Sequence, residues 1–392
     1  MNSLHTERSP LHVIVAGGGI AGLCLAQALR ASGLSVHVHE RDESPEIRGQ
    51  GYRLGIKETG ARALRECLPA DLHRLCRAAA IRTATHMIFT DERLRPKFQR
   101  PIPPAPDGED APFGVNRLTL REILLTGLED VVRFGSALDH YEPLPDGRVR
   151  AVFADGSHAV GDLLVGADGT RSAVRRQLVP DAVVDELDWA VWGRTPITAA
   201  LLDRVPPELV DSFNRVIAPD GTAFSVATCR TAEPPSRAAA RLAPRARLTD
   251  LPGYFSWMVA TPAGGERPSA PEELHRLAAR TVESWHPAPG EIVAAADVPG
   301  TFGVPITSAR PVKPWDEPAV TLLGDAIHTM SPGRGDGANV ALQHAALLAR
   351  LLAGRSSLAE AKREYETRML RDGFAAVELS RRAPFVPSRT TR

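Results

Sequence analysis

Leu11 to Ala16 (LHVIVA) is a run of apolar, largely β-branched positions that stops at Gly17-Gly18-Gly19. Short apolar runs closed by glycine read as strands buried on both faces of a parallel sheet. From Ile20 to Arg30 the apolar positions (Ile20, Leu23, Ala26, Leu29) take helical spacing, and Ser32-Gly33 supplies a stop. Ser35 to Glu40 (SVHVHE) predicts a second strand ending in an acid, with His37 and His39 as structural residues between valines. Similar buried-strand runs return at Leu163–Val165 and Ala319–Leu323, each followed by glycine and aspartate. A helix is expected from about Ala338 to Leu352.

The pattern changes in the middle of the chain. Leu187–Arg194, Gly221–Cys229 and Tyr254–Ala260 alternate only in part and predict strands of a mainly antiparallel sheet. Pro206-Pro207, Pro234-Pro235 and the stretch from Pro262 to Pro271 mark loops between them, and residues 231–245 are expected to form a mobile one. Glu272 to Trp285 reads as a helix with an acidic first turn.

Composition narrows the class. A chain of 392 residues, 43% hydrophobic, has room for two globular domains. Its 47 basic and 47 acidic side chains cancel, so neither a nucleic-acid backbone nor an anionic membrane is an expected partner. The four cysteines (Cys24, Cys67, Cys76, Cys229) form no CxxC pair and no zinc-ligand spacing, so no metal is expected. The first ten residues lack the apolar stretch of a signal peptide, and no apolar run reaches the ~20 residues of a membrane span. A cytoplasmic setting is the expectation.

The chemistry starts at Gly17-x-Gly19-x-x-Gly22, between a strand and a helix, with Glu40 eighteen residues further on. Gly17 permits the tight turn, Gly19 lets a pyrophosphate approach the backbone, and Gly22 lets helix and strand pack closely. The helix N-terminus offers free N–H groups to the phosphates, and Glu40 stands where a carboxylate accepts ribose hydroxyls. This predicts a dinucleotide site, for NAD or FAD alike. Arg48-Gly49-Gln50-Gly51 is an irregular stretch able to pass near a cofactor.

Two later segments separate the alternatives. Asp162 to Arg175 (DLLVGADGTRSAVR) runs from a strand through a Gly-Ala-Asp-Gly turn into a helix. Ala319–Leu323 leads into Gly324-Asp325-Ala326-x-His328, then Pro332 and Gly335-x-Gly337-x-Asn339. With these motifs in this order, the sequence resembles the single-component FAD-dependent aromatic hydroxylases related to p-hydroxybenzoate and salicylate hydroxylase. The resemblance implies an α/β fold: a Rossmann-like FAD-binding domain with an inserted, mainly antiparallel β-sheet substrate domain. It implies FAD-binding segments at 1–80, 112–184 and 297–392, the last with C-terminal helices, and substrate-domain segments at 81–111 and 185–296.

Position by position, the resemblance places Gly17, Gly19, Ile20, Ala21 and Gly22 at the pyrophosphate and Glu40 at the ribose. Arg41, Arg48 and Gly51 line the FAD, and Arg117 and Arg121 start a helix that contacts it. Asp168 falls in a segment associated with FAD and reduced nicotinamide, and Asp325 at the ribityl chain. Pro332, Gly335, Gly337, Ala338 and Asn339 form the turn and helix N-terminus beside the isoalloxazine. There a helix dipole stabilises the anionic reduced ring. Asp168 and Asp325 have a simpler alternative as helix caps, and His328 reads as structural. Asp336 departs from the family pattern, and its charge beside the flavin calls for a neutralising partner such as Arg334.

The implied activity is NADPH- or NADH- and O2-dependent hydroxylation of an aromatic or polyketide-like small molecule through a flavin C4a-hydroperoxide. The chain has no second GxGxxG, and in the group it resembles the nicotinamide is a transient co-substrate that binds across the flavin domain. Trp192, Arg194, Phe224 and Tyr254 on the middle sheet are candidates for the substrate pocket, with Pro332, Arg194 and Trp192 nearest the chemistry. The assembly is expected to be a monomer or homodimer. Two rival activities stay open: an FAD dehydrogenase or oxidase without oxygen insertion, and a flavin-binding protein without turnover.

Overall fold

The first apolar run becomes β1 (His12–Ala16), flanked in parallel by β2 (Ser35–His39) and β11 (Leu163–Gly166). β17 (Val320–Leu322) extends this sheet beyond β11, and β7 (Val132–Arg133) extends it beyond β2. The order is thus β17-β11-β1-β2-β7, all parallel, as near-continuous apolar strands require. The computed structural model describes residues 11–45, 52–261, 267–354 and 357–382, so Arg48 and Gly51 lie outside the described residues.

Helix α1 (Ile20–Ala31) carries the helical apolar stripe and is buried from Ile20 through Leu29 except at Ala21. It packs on α11 (Gly337–Gly354), which also touches α2 (Glu58–Cys67) and α12 (Leu358–Arg382). α3 (Ala70–Ala78), α4 (Arg117–Leu125), α5 (Ala173–Leu178) and α10 (Asp325–His328) complete this half. Asn116 caps α4 by accepting the Leu118 and Thr119 N–H groups. A three-stranded sheet of β8 (Leu138–Pro143), β9 (Val149–Phe153) and β10 (His158–Gly161) adjoins it. Among the described residues no helix is long and apolar enough to cross a membrane.

The second sheet has seven strands in the order β16-β12-β15-β14-β13-β4-β5. They are β4 (His86–Thr90), β5 (Pro96–Pro101), β12 (Val184–Pro196), β13 (Phe213–Ile217), β14 (Ala223–Cys229), β15 (Tyr254–Thr261) and β16 (Phe302–Ala309). All pairs are antiparallel except β4 with β13. α6 (Ala199–Leu202) follows β12; α8 (Pro271–Val282) and α9 (Pro287–Ala294) cover one face. There Val191, Phe224, Phe255 and Trp257 are buried with Leu274, Val282 and Ile292. The other face turns toward the ribbon of β3 (Arg53–Ile56) and β6 (Phe113–Asn116), with Ile81 bridging Gly114 and Thr231.

Residues 231–245 are not a loose loop. They contain α7 (Pro235–Leu242), with Ala238 and Ala239 buried and the helix packed on α3. Pro234-Pro235 starts this helix, because proline at the first helical position loses no hydrogen bond. An Arg245–Asp71 ion pair ties its far end to α3.

His328 and His344 form a buried pair, Nε2 to Nδ1 at 3.0 Å, wedged against Gly373 of α12. Burial drives His328 down to about 3, with His344 assisting, and burial alone takes His344 down to about 4. Both are neutral in the fold, whereas the unfolded chain takes up protons below about pH 6.5. The stability they confer is complete above that pH and is lost as pH falls toward the folded values. Going from pH 7 to pH 5 should cost about 4 kcal/mol from the pair. Urea unfolding of a His328→Asn/His344→Gln variant is expected to show a flatter acid limb than the parent; an unchanged limb would remove the pair from the acid response.

Candidate functional site

The three motif glycines do different work. Gly17 has φ 113°, and a Cβ there would lie 2.3 Å from the Ala167 carbonyl oxygen on the neighbouring strand. A Cβ on Gly22 would lie 2.1 Å from the Gly17 oxygen. Only at Gly19 is the space open, with nothing within 4 Å. Gly19 is also the N-cap of α1 and offers no side-chain acceptor, so the first-turn N–H groups remain available to a ligand.

Gly17, Gly19, Ile20, Ala21, Glu40, Arg41, Arg117, Asp168, Asp325, Pro332, Gly335, Gly337 and Ala338 all line one cavity of about 550 Å³. Arg41, Arg117, Arg171 and Arg176 outnumber the carboxylates Glu40, Asp168 and Asp325 on its wall, a balance suited to an anionic ligand.

Glu40 is held from behind. Its Oε2 accepts the Gly18 N–H at 2.8 Å, and its Oε1 accepts the Asp42 N–H at 2.9 Å. Arg121 stands 3.3 Å from Glu40 and does not reach the cavity: it is 2% exposed. Its Nε donates to the Gly18 carbonyl at 3.0 Å and Nη1 to the Pro45 carbonyl at 3.1 Å, so it braces the turn and the acid.

Asp168 accepts the Ala173 N–H at 2.7 Å, so the capping alternative holds for Oδ2, while its buried Oδ1 has no partner among the described residues. Asp325 follows Gly324 (φ 66°) at the end of β17 and makes no hydrogen bond to the described residues. Its side chain is exposed to the open cavity, and the protein walls around it raise its pKa against the opposing pull of Arg117.

Pro332–Arg334 form a single turn, Gly335 is left-handed (φ 67°), and α11 begins at Gly337. Asn339, 1% exposed, is not on the cavity wall. Its Nδ2 donates to the carbonyls of Gly55 (2.9 Å) and Gly335 (2.8 Å), and its Oδ1 accepts the Lys57 N–H at 2.7 Å. Asp336 is neutralised twice, by Arg334 Nε at 2.9 Å and by Lys57.

The candidates on the middle sheet divide by face. Phe224 is fully buried in the core beneath α8 and α9 and does not line this cavity, because its strand alternation points it away from the ribbon side. Trp192 points the other way and stacks parallel and offset on Phe302, ring centroids 6.4 Å apart, with Tyr52 at 6.4 Å. Arg194 is bound to Asp297 by Nη2 at 2.6 Å and Nε at 2.9 Å. Tyr254 is 5% exposed; its hydroxyl accepts from Asn116 Nδ2 at 2.7 Å, and burial pushes its pKa up. Neither Trp192 nor Arg194 lines the cavity itself.

The motif reading did not single out Tyr52, Arg53, Ser136, Leu138, Arg171, Arg176 or Met330, which also line it. Ser136 arrives through its N–H bond to the Glu40 carbonyl, a long-range contact with no local sequence signal.

A parallel strand–glycine turn–helix unit opening on a cleft, with a second helix N-terminus at its wall and an antiparallel sheet opposite, defines a flavoprotein of the aromatic-hydroxylase architecture. The chain belongs to the FAD-binding-domain family, whose model matches residues 146–364, and FAD is its cofactor. It is 33% identical over 382 residues to dual O-methyltransferase/FAD-dependent monooxygenase elcB of Phaeosphaeria nodorum, covering 89% of this chain and 41% of that protein. FAD-dependent monooxygenase thnD of Trichoderma harzianum is 28% identical over 393 residues, covering 95% and 92%. A solved structure from Photorhabdus luminescens, named as an FAD-containing monooxygenase, matches with TM-score 0.79 and 30% identity over 95% of this chain and 97% of that one. The chain spans less than half the length of elcB and of its relative CTB3.

Proposed function

We propose that this chain is a monooxygenase that uses FAD, O2 and NADPH or NADH to hydroxylate an aromatic or polyketide-like small molecule. The observation that carries this reading is the cleft itself. It joins the open Gly19 turn to the N-terminus of α11, beside the aromatic face of the seven-stranded sheet.

The residues present fit FAD. Open space at Gly19, free N–H groups on α1 and an arginine-rich wall suit a large polar anion, and Asp168 Oδ1, without a partner among the described residues, can accept from a ligand hydroxyl. When bound, FAD accepts hydride from the nicotinamide and activates O2 for transfer to an electron-rich carbon. Gly19 and α1 would hold the pyrophosphate, Glu40 the adenosine ribose and Asp325 the ribityl hydroxyls. Pro332, Gly335 and Gly337 let the backbone lie close to the ring, and the α11 dipole stabilises negative charge there. The neutralised Asp336 does not oppose that dipole. Trp192, Phe302 and Tyr52 would shield the substrate from water.

The test is the visible spectrum of the purified protein before and after anaerobic NADPH or NADH. A two-band flavin spectrum that bleaches is the expected result. Bleaching by an organic substrate alone would favour a dehydrogenase or oxidase. A colourless protein that cannot be reconstituted with FAD would overturn the reading.

A further inference from the structure

Arg53 enters the cavity from β3 and belongs to none of the cofactor motifs. Its guanidinium lies over Gly114 of the paired strand: a Cβ there would fall 2.9 Å from Nη2 and 3.0 Å from Nε. The slot exists because position 114 has no side chain. Gly114 is joined to Ile81 by a 2.8 Å backbone bond, and Ile81 packs with Cys229 and Tyr254 at the end of the seven-stranded sheet. Burial pushes the Cys229 thiol up to about 11 against the opposing charge of Arg53, which is therefore felt there. The guanidinium therefore sits at the seam between the cofactor cleft and the open face of that sheet.

The other arginines near this seam are engaged. Arg194 is neutralised by Asp297, and Arg117 lies over the Tyr52 ring at 5.7 Å. Arg53 is half-buried and makes no hydrogen bond or ion pair with the described residues. A guanidinium presents five donors in a planar fork, and those of Arg53 are accessible from the cavity rather than sealed in the protein. Tyr52, the preceding residue, lines the same cavity, and Tyr52, Trp192 and Phe302 form a cluster with each ring centroid within 6.4 Å of the others. A planar apolar surface and a planar cation without a side-chain partner among the described residues together suit a flat ring system bearing an acidic oxygen.

We infer that Arg53 reads the substrate, binding the ionised phenol or enol oxygen of a flat polycyclic aromatic that lies against Tyr52, Trp192 and Phe302. This rests on the monooxygenase reading and narrows its substrate class. A neighbouring cation favours the ionised form, and an ionised oxygen enriches the ring carbons that an electrophilic oxygen attacks. One contact thus serves both selection and reactivity.

The experiment uses the FAD-loaded protein and two probes, 2-hydroxy-1,4-naphthoquinone and its methyl ether, with binding read from the perturbation of flavin absorbance. The acidic enol is expected to bind about tenfold more tightly than the ether, the worth of one charge-assisted hydrogen bond. Arg53→Gln should erase that preference while keeping FAD, and Arg53→Lys should restore part of it. Equal binding of the two probes by the parent, no binding of either, or undiminished preference in Arg53→Gln would each overturn the inference. Loss of FAD from Arg53→Gln would do so as well, by making the residue a cofactor ligand. A parent protein that holds no flavin would instead remove the monooxygenase reading itself, so the two failures are distinguishable.

Discussion

Gly17→Val is expected to give a protein that neither holds FAD nor keeps the parent's stability. The new Cβ would stand 2.3 Å from the Ala167 oxygen, on a backbone with φ 113° that a β-branched residue does not tolerate. The obstacle is the neighbouring strand rather than the pyrophosphate, so the turn must open before any ligand arrives. A loss of about 3 kcal/mol or more is in proportion to such a clash. Gly19→Leu provides the contrast. Gly19 already has an ordinary extended backbone (φ −78°), and its Cβ direction is empty. That variant should melt like the parent yet fail to retain flavin, because the side chain fills the space the pyrophosphate needs. Thermal melts run alongside flavin absorbance separate the two. A Gly17→Val protein with parental stability and full flavin content would refute the steric argument.

Asp325→Ala should lose FAD affinity by about 30- to 100-fold, the range for one or two hydrogen bonds to a charged acceptor. Stability should hold. The carboxyl makes no hydrogen bond to the described residues and is exposed to the cavity, so its removal breaks no contact of the fold. Equilibrium titration with FAD, together with the rate of anaerobic reduction by NADPH, gives the measurement. Tight FAD and an unchanged rate in Asp325→Ala would exclude Asp325 from the cofactor site.

Much of the cofactor half was legible in the sequence because its determinants are local. An apolar run, a glycine turn and a helical stripe within thirty residues define β1, α1 and β2 whatever surrounds them. The same holds for the Gly324-Asp325 turn and for the start of α11. What escaped depends on contacts between distant segments. Trp192 and Phe224 are both apolar aromatics on strands, and only the docking of α8 and α9 decides which face is sealed. Arg121 and Asn339 stand within cofactor motifs but spend their donors on Gly18, Pro45, Gly55 and Gly335. Arg53 carries no motif, and its place follows from the β3–β6 register and a missing side chain at Gly114. Proline misled at α7, where Pro234-Pro235 begins a helix rather than a loop.

The Asn339 side chain clasps α11 to β3 at three points: the Gly55 carbonyl, the Lys57 N–H and, within its own turn, the Gly335 carbonyl. A Cβ at Gly60 would lie 2.2 Å from the Asn339 oxygen, so α2 closes over the clasp without slack. Lys57 and Asp336 add an ion pair across the same junction. The N-terminal end of α11 and the segment that runs from Tyr52 into β3 and carries Arg53 are therefore one mechanical unit. A shift of that helix end would carry Tyr52 and Arg53 with it, so these two side chains keep their spacing from the α11 wall of the cleft.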